Sequence, residues 1–240
     1  MFQPFLPYNT FRYLFPPRPE NALPVTLLEA YEKKGFVFQP KLNGDCCVVF
    51  MNGKDIFIYD RHKKIYTKPR ITEDIAKLYR ETIAEGLPTN KWMVLTGEYM
   101  VKSKFEKDGK LFNHKFVVHD IIAYDNFQLV GMTTTERIEL LDKLYGTEDK
   151  EILEDGIRQW DYLYTTGVRN CYRVKSYSEN IVGLWSEMFS SVDTDEQILK
   201  FMFEGFVAKS ADSPLENGSK EMNNNTLMVK FRIATKNYSY

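Results

Sequence analysis

The chain has 240 residues, of which 43% are hydrophobic, 15% aromatic and 27% charged. This composition is typical of a folded globular protein and excludes a disordered or low-complexity chain. Thirty-two Lys and Arg against 33 Asp and Glu give a net charge of -1, which excludes the strong basic excess that marks many nucleic-acid-binding domains, although a neutral chain can still carry a positive face.

The start of the chain predicts an irregular segment before the folded body. Residues 1–24 are rich in proline and aromatic side chains, and we expect them to form an irregular arm of a single domain over residues 1–240. They show no secretory or transit pattern, and no apolar run reaches the roughly 18 residues of a membrane span. A cytoplasmic protein without a membrane partner is therefore expected.

The first half of the chain predicts mainly strands. Residues 36–41, 46–51 and 55–60 are β-rich, and Asn52-Gly53 predicts a two-residue hairpin turn between the last two. Apolar residues at helical spacing predict a helix over 71–85, which ends at Gly86. Residues 92–101 and 114–124 again predict strands.

The second half alternates helices and strands. Thr133 and Glu136 predict a capping box for a helix that ends at Gly146. Strands are predicted over 172–177, 204–210 and 226–233, and an apolar stripe predicts a core-packed helix over 179–192. This order favours an α+β fold with antiparallel sheets.

The three cysteines indicate a reducing setting. Cys46 and Cys47 are adjacent and would point to opposite faces of a strand, so they and Cys171 cannot all pair with one another. The spacing of Cys and His residues matches no metal motif. We interpret the three thiols as small buried hydrophobes.

Several charged residues lie where strands end or meet glycine. Lys41 stands in a constrained turn, and a lysine amine is a nucleophile when its neighbours favour the neutral form. Glu98 and Glu204 each adjoin a glycine within a strand, as is common where a ligand approaches closely. Asp120 lies in an apolar run and needs a partner. A further basic group consists of Lys209 and of Lys230 and Arg232, which share one strand face.

In chain order these segments resemble the motifs of the covalent nucleotidyltransferases, the superfamily of ATP-dependent DNA ligases, RNA ligases and mRNA capping enzymes. Residues 41–44, KLNG, resemble the K-x-D-G nucleophile motif with Asn43 in place of Asp. Residues 59–61, 96–99, 116–122 and 227–232 resemble four further motifs of the series. The best match is EGFVAK, residues 204–209, to E-G-x-V-x-K.

The resemblance implies a fold and a set of roles. The fold would be two antiparallel β-sheets flanked by helices, an adenylation-domain (ATP-grasp-like) core, here without an OB-fold. Lys41 would be the nucleophile that becomes joined to AMP, with Lys230 and Arg232 as catalytic residues on the α-phosphate. The remaining implied nucleotide contacts are Gln39 at the adenine edge, Arg61 and Lys209 at phosphate, Glu98 at ribose, and Phe116 or His119 stacked on the base.

The resemblance also implies the cofactors and partners. ATP would be the nucleotide, and Glu204 would help to hold Mg²⁺ or Mn²⁺. The partner would be nicked or broken nucleic acid, bound by a monomer through Arg61, Lys63 and Lys64. A compact ligase of this kind is typical of phages, which would place it in the host cytoplasm.

Three functions stay open on these grounds. The run TTTERIELLDKL, residues 133–144, resembles a DNA-ligase segment and favours a DNA ligase of repair or replication over an RNA ligase. The third alternative is an inactive relative that binds nucleic acid without forming an adenylate on Lys41.

Overall fold

The computed structural model describes residues 23–101, 104–154, 156–192, 194–215 and 227–233. Most of the predicted arm and residues 216–225 of the late polar loop lie outside this part of the chain. The strands are β1 (Phe36–Leu42), β2 (Asp45–Met51), β3 (Ile56–Asp60), β4 (Met93–Tyr99), β5 (Lys104–Phe105), β6 (Leu111–Phe112), β7 (Phe116–Tyr124), β8 (Phe127–Gln128), β9 (Lys150–Leu153), β10 (Gly156–Gln159), β11 (Leu163–Thr165), β12 (Cys171–Val174), β13 (Phe203–Ser210) and β14 (Met228–Arg232). The helices are α1 (Leu28–Glu32), α2 (Thr72–Ala84), α3 (Thr134–Tyr145), α4 (Ile181–Phe189) and α5 (Asp195–Lys200), and a short 3-10 turn over Val25–Leu27 precedes α1.

Two sheets form the body of the structure. The smaller one has the antiparallel order β1-β13-β14, and the larger has seven strands in the order β11-β12-β7-β4-β2-β3 with β8 added to β7. The α+β prediction is confirmed, with one correction: β12 pairs with β7 in parallel. The long connection between these strands contains α3, and a parallel pair requires such a crossover.

Apolar side chains on both faces of the large sheet build the core. One buried cluster packs β1, β13 and β14 with α1 and α4, and includes the fully buried Phe38, Phe206 and Phe231. A second cluster on the other face of the large sheet is covered by α2 and α3. The apolar stripe predicted for residues 179–192 packs on the first cluster, so its interpretation as core is confirmed.

The start of α3 follows the predicted capping box. The Thr133 hydroxyl accepts a hydrogen bond from the Glu136 backbone N–H, and the Glu136 carboxylate accepts one from the Thr133 N–H at 2.7 Å. Such a cap stabilises a helix by about 1 kcal/mol. Short elements escaped prediction: α5 has six residues, and β9 to β11 have four or fewer.

The predicted hairpin turn at Asn52-Gly53 differs in the structure. Met51 pairs with Ile56, so the loop between β2 and β3 has four residues rather than two. The Asn52 side-chain oxygen closes it by accepting hydrogen bonds from the backbone N–H groups of Lys54 and Asp55. Gly53 serves a different purpose: its N–H donates to the Thr89 carbonyl at 2.8 Å, and a Cβ would lie 2.3 Å from that oxygen.

None of the helices described is both long enough and apolar enough to cross a membrane.

Gly205 of β13 is expected to be required for folding. Its φ is +146°, and a Cβ would lie 1.8 Å from the Phe231 carbonyl oxygen of β14. Because both the backbone conformation and the contact oppose a side chain, Gly205→Ala should lower the free energy of unfolding by about 3 kcal/mol or more, measured by urea denaturation. Gly35→Ala is the matched control, since Gly35 also has positive φ but no atom within 4 Å of its Cβ position. Equal losses in the two variants would contradict this account.

Candidate active site

A cleft of about 650 Å³ opens between the small and the large sheet. Its walls come from β1, β13 and β14 on one side and from β2, β4 and β7 on the other. Of the residues predicted to be functional, it brings together Gln39, Lys41, Arg61, Lys64, Glu98, His119, Glu204, Lys209, Lys230 and Arg232. Residues near both ends of the chain therefore line one cleft.

The Glu204 carboxylate holds two of the predicted catalytic cations. One oxygen accepts a hydrogen bond from the Lys41 amine and the other from the Arg232 guanidinium. The three side chains are 13–21% exposed, so they are shielded from bulk water but reachable by a ligand. Burial alone would raise the pKa of Glu204, but the charges of Lys41 and Arg232 outweigh it and hold that pKa below its usual value.

A β-bulge aims Glu204 at Lys41. Lys41 pairs with Gly205 and Leu42 pairs with Phe203, so Glu204 is an extra residue with no partner on β1. Such an insertion bends a strand and redirects a side chain, and bulges are frequent beside active sites. The extended positive φ of Gly205 accommodates this bend.

Glu98 lies in the cleft on the β4 strand. Its carboxylate accepts a hydrogen bond at 3.1 Å from the backbone N–H of Gly44, in the turn that follows Lys41. Burial raises the pKa of Glu98 to about 7; the charge of Lys41 works against this, and that of Glu204 adds to it. The cleft therefore contains one carboxylate that changes its protonation state near neutral pH.

A second bulge directs His119 and Asp120 into the same cleft. Gly97 pairs with Val118 and Thr96 pairs with Asp120, which leaves His119 as the extra residue on β7. Consecutive strand residues normally point to opposite faces, yet His119 and Asp120 both line the cleft. Burial lowers the pKa of His119 to about 3, so its imidazole is neutral at pH 7.

Asp120 has the partners that its burial requires. The Arg137 side chain of α3 donates to both carboxylate oxygens at 2.9 and 3.2 Å, and the Lys209 amine lies 3.3 Å from one of them. Burial would raise the pKa of Asp120, but these two cations hold it well below its usual value. Removing one member of such a buried network typically costs about 3–5 kcal/mol. Lys209 is thereby fixed at the floor of the cleft, 4% exposed.

Gln39 offers an acceptor to a ligand. Its side-chain nitrogen donates to the Ser176 hydroxyl at 3.1 Å, whereas its buried oxygen has no hydrogen-bond partner among the described residues. Adenine presents an amino donor where guanine presents a carbonyl acceptor. This free acceptor therefore suits adenine better than guanine.

The basic residues around β3 lie at the mouth of the cleft. The Asp60 carboxylate accepts hydrogen bonds from the backbone N–H groups of His62 and Lys64 at 2.7 and 3.0 Å, which fixes the turn after β3. Arg61 and Lys64 line the cleft, whereas Lys63 is exposed, has a φ of 64° and lies outside the lining. Lys230 and Arg232 face the cleft from β14, as their alternation predicted, while Phe231 between them packs in the core.

Phe116 is not available as a stacking residue. Its ring has no exposed surface and packs in the core below the large sheet, against the backbone of Gly97. A nucleobase cannot reach it, so of the two predicted aromatic candidates only His119 lies in the cleft. The motif predicted the strand correctly, but Phe116 pairs with Tyr99 and faces the core with it rather than the cleft.

Two features of the site were missed by sequence reasoning. Cys46 was interpreted as a buried hydrophobe, but it lines the cleft, while Cys47 and Cys171 are buried in the core. The second feature is Arg137, which pairs with Asp120. The available signal was an arginine on a predicted helix that follows an apolar strand containing an aspartate. The sequence alone does not show that these two side chains meet.

The fold and the lysine-centred cleft define a nucleotidyltransferase domain of the ligase type. The model of the family described as RNA ligase matches residues 34–227. The chain therefore belongs to this RNA ligase family. The chain has no match among the curated protein sequences.

Several solved structures match at low sequence identity, and those with a TM-score above 0.5 share the fold. Pmar-Lig_PreS3 is 17% identical with a TM-score of 0.52, over 85% of this chain and 44% of that one. The ligase domain of LigD from M. tuberculosis is 14% identical with a TM-score of 0.48, over 82% and 53%. A Naegleria gruberi RNA ligase mutant with AMP and Mn is 17% identical with a TM-score of 0.38, over 92% and 57%. The chain spans about half the length of these proteins.

The raised pKa of Glu98 predicts a pH-dependent effect of Glu98→Gln on stability. Below its usual pKa of 4.5 the carboxyl is neutral in both the folded and the unfolded chain, so the variant and wild type should unfold similarly. As the pH rises from 4.5 to about 7, the unfolded chain ionises while the folded carboxyl stays protonated, so the wild type loses stability. Glu98→Gln should therefore become the more stable protein above pH 7.

Urea denaturation of both proteins at acidic and alkaline pH measures this difference. Glu139→Gln, which removes an exposed carboxylate of α3, is the matched control for the loss of one charge. A stability difference between Glu98→Gln and wild type that does not change with pH would contradict the assignment.

Proposed function

We propose that this protein is an ATP-dependent polynucleotide ligase that works through a covalent lysyl-AMP on Lys41. The observation that carries the proposal is the placement of Lys41 in a cleft beside Glu204, Arg232 and Lys230, formed by strands from both ends of the chain. A lysine exposed on the surface would not be surrounded by the bulged strands β7 and β13 and by the partly buried Glu204 carboxylate. Membership of the RNA ligase family supports the same chemistry.

The first step would join the nucleotide to the protein. The neutral amine of Lys41 attacks the α-phosphorus of ATP, a P–N bond forms, pyrophosphate leaves with the electrons of the broken P–O bond, and the nitrogen releases one proton to solvent. Arg232 and Lys230 are placed to neutralise the charge that develops on the phosphate oxygens. Lys209, fixed by Asp120, would add positive charge from the floor of the cleft.

The nucleoside would be oriented by polar groups that line the cleft. The unpartnered oxygen of Gln39 would accept from the adenine amino group, which favours ATP over GTP. Glu98 would accept from a ribose hydroxyl, and the neutral ring of His119 would lie along the base.

A divalent cation fits the acids around Lys41. Carboxylates are the protein ligands that Mg²⁺ and Mn²⁺ prefer, and such ions usually take one or two of them together with phosphate oxygens and water. Glu204 would hold the ion, since its carboxylate faces Lys41 and would exchange a protein cation for a metal cation when phosphates arrive. When bound, the ion would supply positive charge that shields the phosphates and favours the neutral amine.

The strand-joining steps would follow from the adenylate. AMP passes from Lys41 to a 5′-phosphate end, and a 3′-hydroxyl then attacks that end, forms the phosphodiester and releases AMP. Nicked or broken nucleic acid would lie across Arg61, Lys63 and Lys64 at the mouth of the cleft. A monomeric, cytoplasmic, phage-type enzyme remains a prediction.

We favour RNA as the joined strand because the matching family is that of RNA ligases. DNA is the second candidate, and the run of residues 133–144 was its support. That run forms α3, which caps itself, packs on the large sheet and holds Asp120 through Arg137. These contacts account for the packing of that run and do not separate a DNA ligase from an RNA ligase, so DNA stays the alternative.

Lys41→Ala and Lys41→Arg should abolish covalent labelling by α-labelled ATP and Mg²⁺. Both variants lack the nucleophilic amine, and the arginine keeps the positive charge. The labelled band should survive denaturing electrophoresis and alkali but not acid, as expected of a phosphoramidate. Lys77→Ala, on the exposed side of α2, is the matched control and should label like wild type.

The same proteins should be assayed on nicked duplexes with RNA or DNA on either side of the nick, and on single strands. Sealing that needs an RNA 3′-hydroxyl end would support the RNA proposal, and equal sealing of all-DNA nicks would support the DNA alternative. Label that persists in both Lys41 variants, or wild-type protein that takes no label from ATP or GTP, would overturn the adenylate mechanism.

Lys64→Ala and Lys63→Asn should weaken nucleic-acid binding and its salt dependence. Each phosphate contact that is lost should reduce the slope of log affinity against log salt by about 1, because fewer counterions are released. Asparagine is chosen at position 63 because it tolerates the positive φ. Fluorescence anisotropy over a salt series measures the slope. A slope unchanged in both variants, as expected for Lys77→Ala, would remove this surface from the binding site.

A further inference from the structure

Three side chains with different ligand atoms converge in the cleft beside the nucleophile. The Cys46 sulfur, a Glu98 carboxylate oxygen and a His119 ring nitrogen all lie within 4.8 Å of one another. The three residues belong to β2, β4 and β7, which are neighbours in the large sheet.

The backbone explains why these three meet. Cys46 and Glu98 are directly opposite in the β2–β4 register, so their side chains share one face. Val117 is opposite Glu98, and His119 lies two residues further along β7, so its side chain points to the same face as Val117. Strand alternation therefore adds the imidazole to the pair.

The environment of His119 matches that of a metal ligand. One ring nitrogen, Nδ1, lies 3.2 Å from the Thr96 hydroxyl, and Thr96 has no exposed surface. This contact fixes the ring and leaves Nε2 for a ligand. Histidines that bind metals usually have such a partner on the second nitrogen.

The donor set is suited to a cation that accepts sulfur. Zn²⁺ binds Cys sulfur at about 2.3 Å and His nitrogen or carboxylate oxygen at about 2.0 Å, often with three protein ligands and one open position. In a tetrahedral site the ligand atoms are about 3.5 Å apart. Side-chain movements that shift each ligand atom by about 1 Å would therefore bring the three atoms to that spacing around the ion. Mg²⁺, in contrast, takes oxygen ligands and has no use for the thiol.

We propose that Cys46, Glu98 and His119 form a binding site for Zn²⁺ or a similar sulfur-accepting divalent cation. On binding, the thiol proton passes to solvent and a metal–sulfur bond forms, with water at the fourth position. This site is separate from the Glu204 site for Mg²⁺ or Mn²⁺.

The metal should exclude the nucleotide, a consequence that rests on the proposed function. A Glu98 carboxylate that ligates a metal is not available to accept a hydrogen bond from a ribose hydroxyl. A His119 ring that ligates a metal cannot reorient to stack on a base. Zinc would therefore act as a reversible inhibitor that competes with ATP.

Cobalt(II) is a direct probe of this site, because cobalt–thiolate bonds absorb in the near ultraviolet. Titration of the reduced full chain with Co²⁺ should produce this band, and Zn²⁺ should displace it. Cys46→Ser should abolish the band, while Cys47→Ser should keep it. Cys47 is the matched control: it is adjacent, points into the core, and makes a thiol contact to the Asp45 carbonyl that a hydroxyl can replace.

The other ligands give a graded test. Glu98→Gln and Thr96→Val should each weaken Co²⁺ binding, by roughly 10-fold or more, without removing the thiolate band at saturation. Thermal unfolding of each variant shows whether it is folded. Absence of the band in folded wild type, or its persistence in folded Cys46→Ser, would overturn the proposed site.

Competition is tested by equilibrium binding of labelled ATP at increasing Zn²⁺. The apparent Kd for ATP should rise with Zn²⁺ in wild type and stay constant in Cys46→Ser. A Cys46-dependent cobalt band in a protein that never takes label from ATP would support the metal site and contradict the proposed function. Labelling of Lys41 in a protein without the band would support the function and overturn the metal site.

Discussion

The ion pair network centred on Glu204 is the interaction on which the cleft depends. Its carboxylate binds Lys41 of β1 and Arg232 of β14, so one buried acid links the first, last and middle strands of the small sheet. Charges out of water are costly unless they are paired, and this pairing offsets that cost for two cations that are 19–21% exposed in the cleft. A phosphate that entered would meet cations already placed and would replace a carboxylate rather than water.

The same balance of burial and charge separates the acids of the cleft. Burial raises the pKa of Glu98 to about 7, while neighbouring cations keep Glu204 and Asp120 ionised. Asp120 is ion-paired with Arg137 and Lys209 and holds both side chains in place. Glu98 has a backbone N–H as its hydrogen-bond donor, which leaves it available to a ribose hydroxyl or to a metal. One cleft thus holds three carboxylates whose pKa values and pairing differ because their neighbours differ.

Two β-bulges connect the fold to this chemistry. Regular strands would turn either His119 or Asp120 away from the cleft and would leave Glu204 facing away from Lys41. The bulges at His119 and Glu204 correct both directions, and Gly205 provides the backbone conformation that the second one needs. Local irregularity, rather than the regular sheet, therefore positions the reactive groups.

The sequence by itself determined the α+β class, most long strands and helices, the cap of α3 and the order of charged motifs, because periodicity and capping are local properties. It also indicated that Asp120 needed a partner, but not that Arg137 was one of them. Only the tertiary structure decided that Phe116 is buried, that Cys46 faces the cleft and that His119 joins Glu98. A bulge changes side-chain direction through the hydrogen-bond register between strands that are distant in sequence, and no single segment carries that register in its own residues.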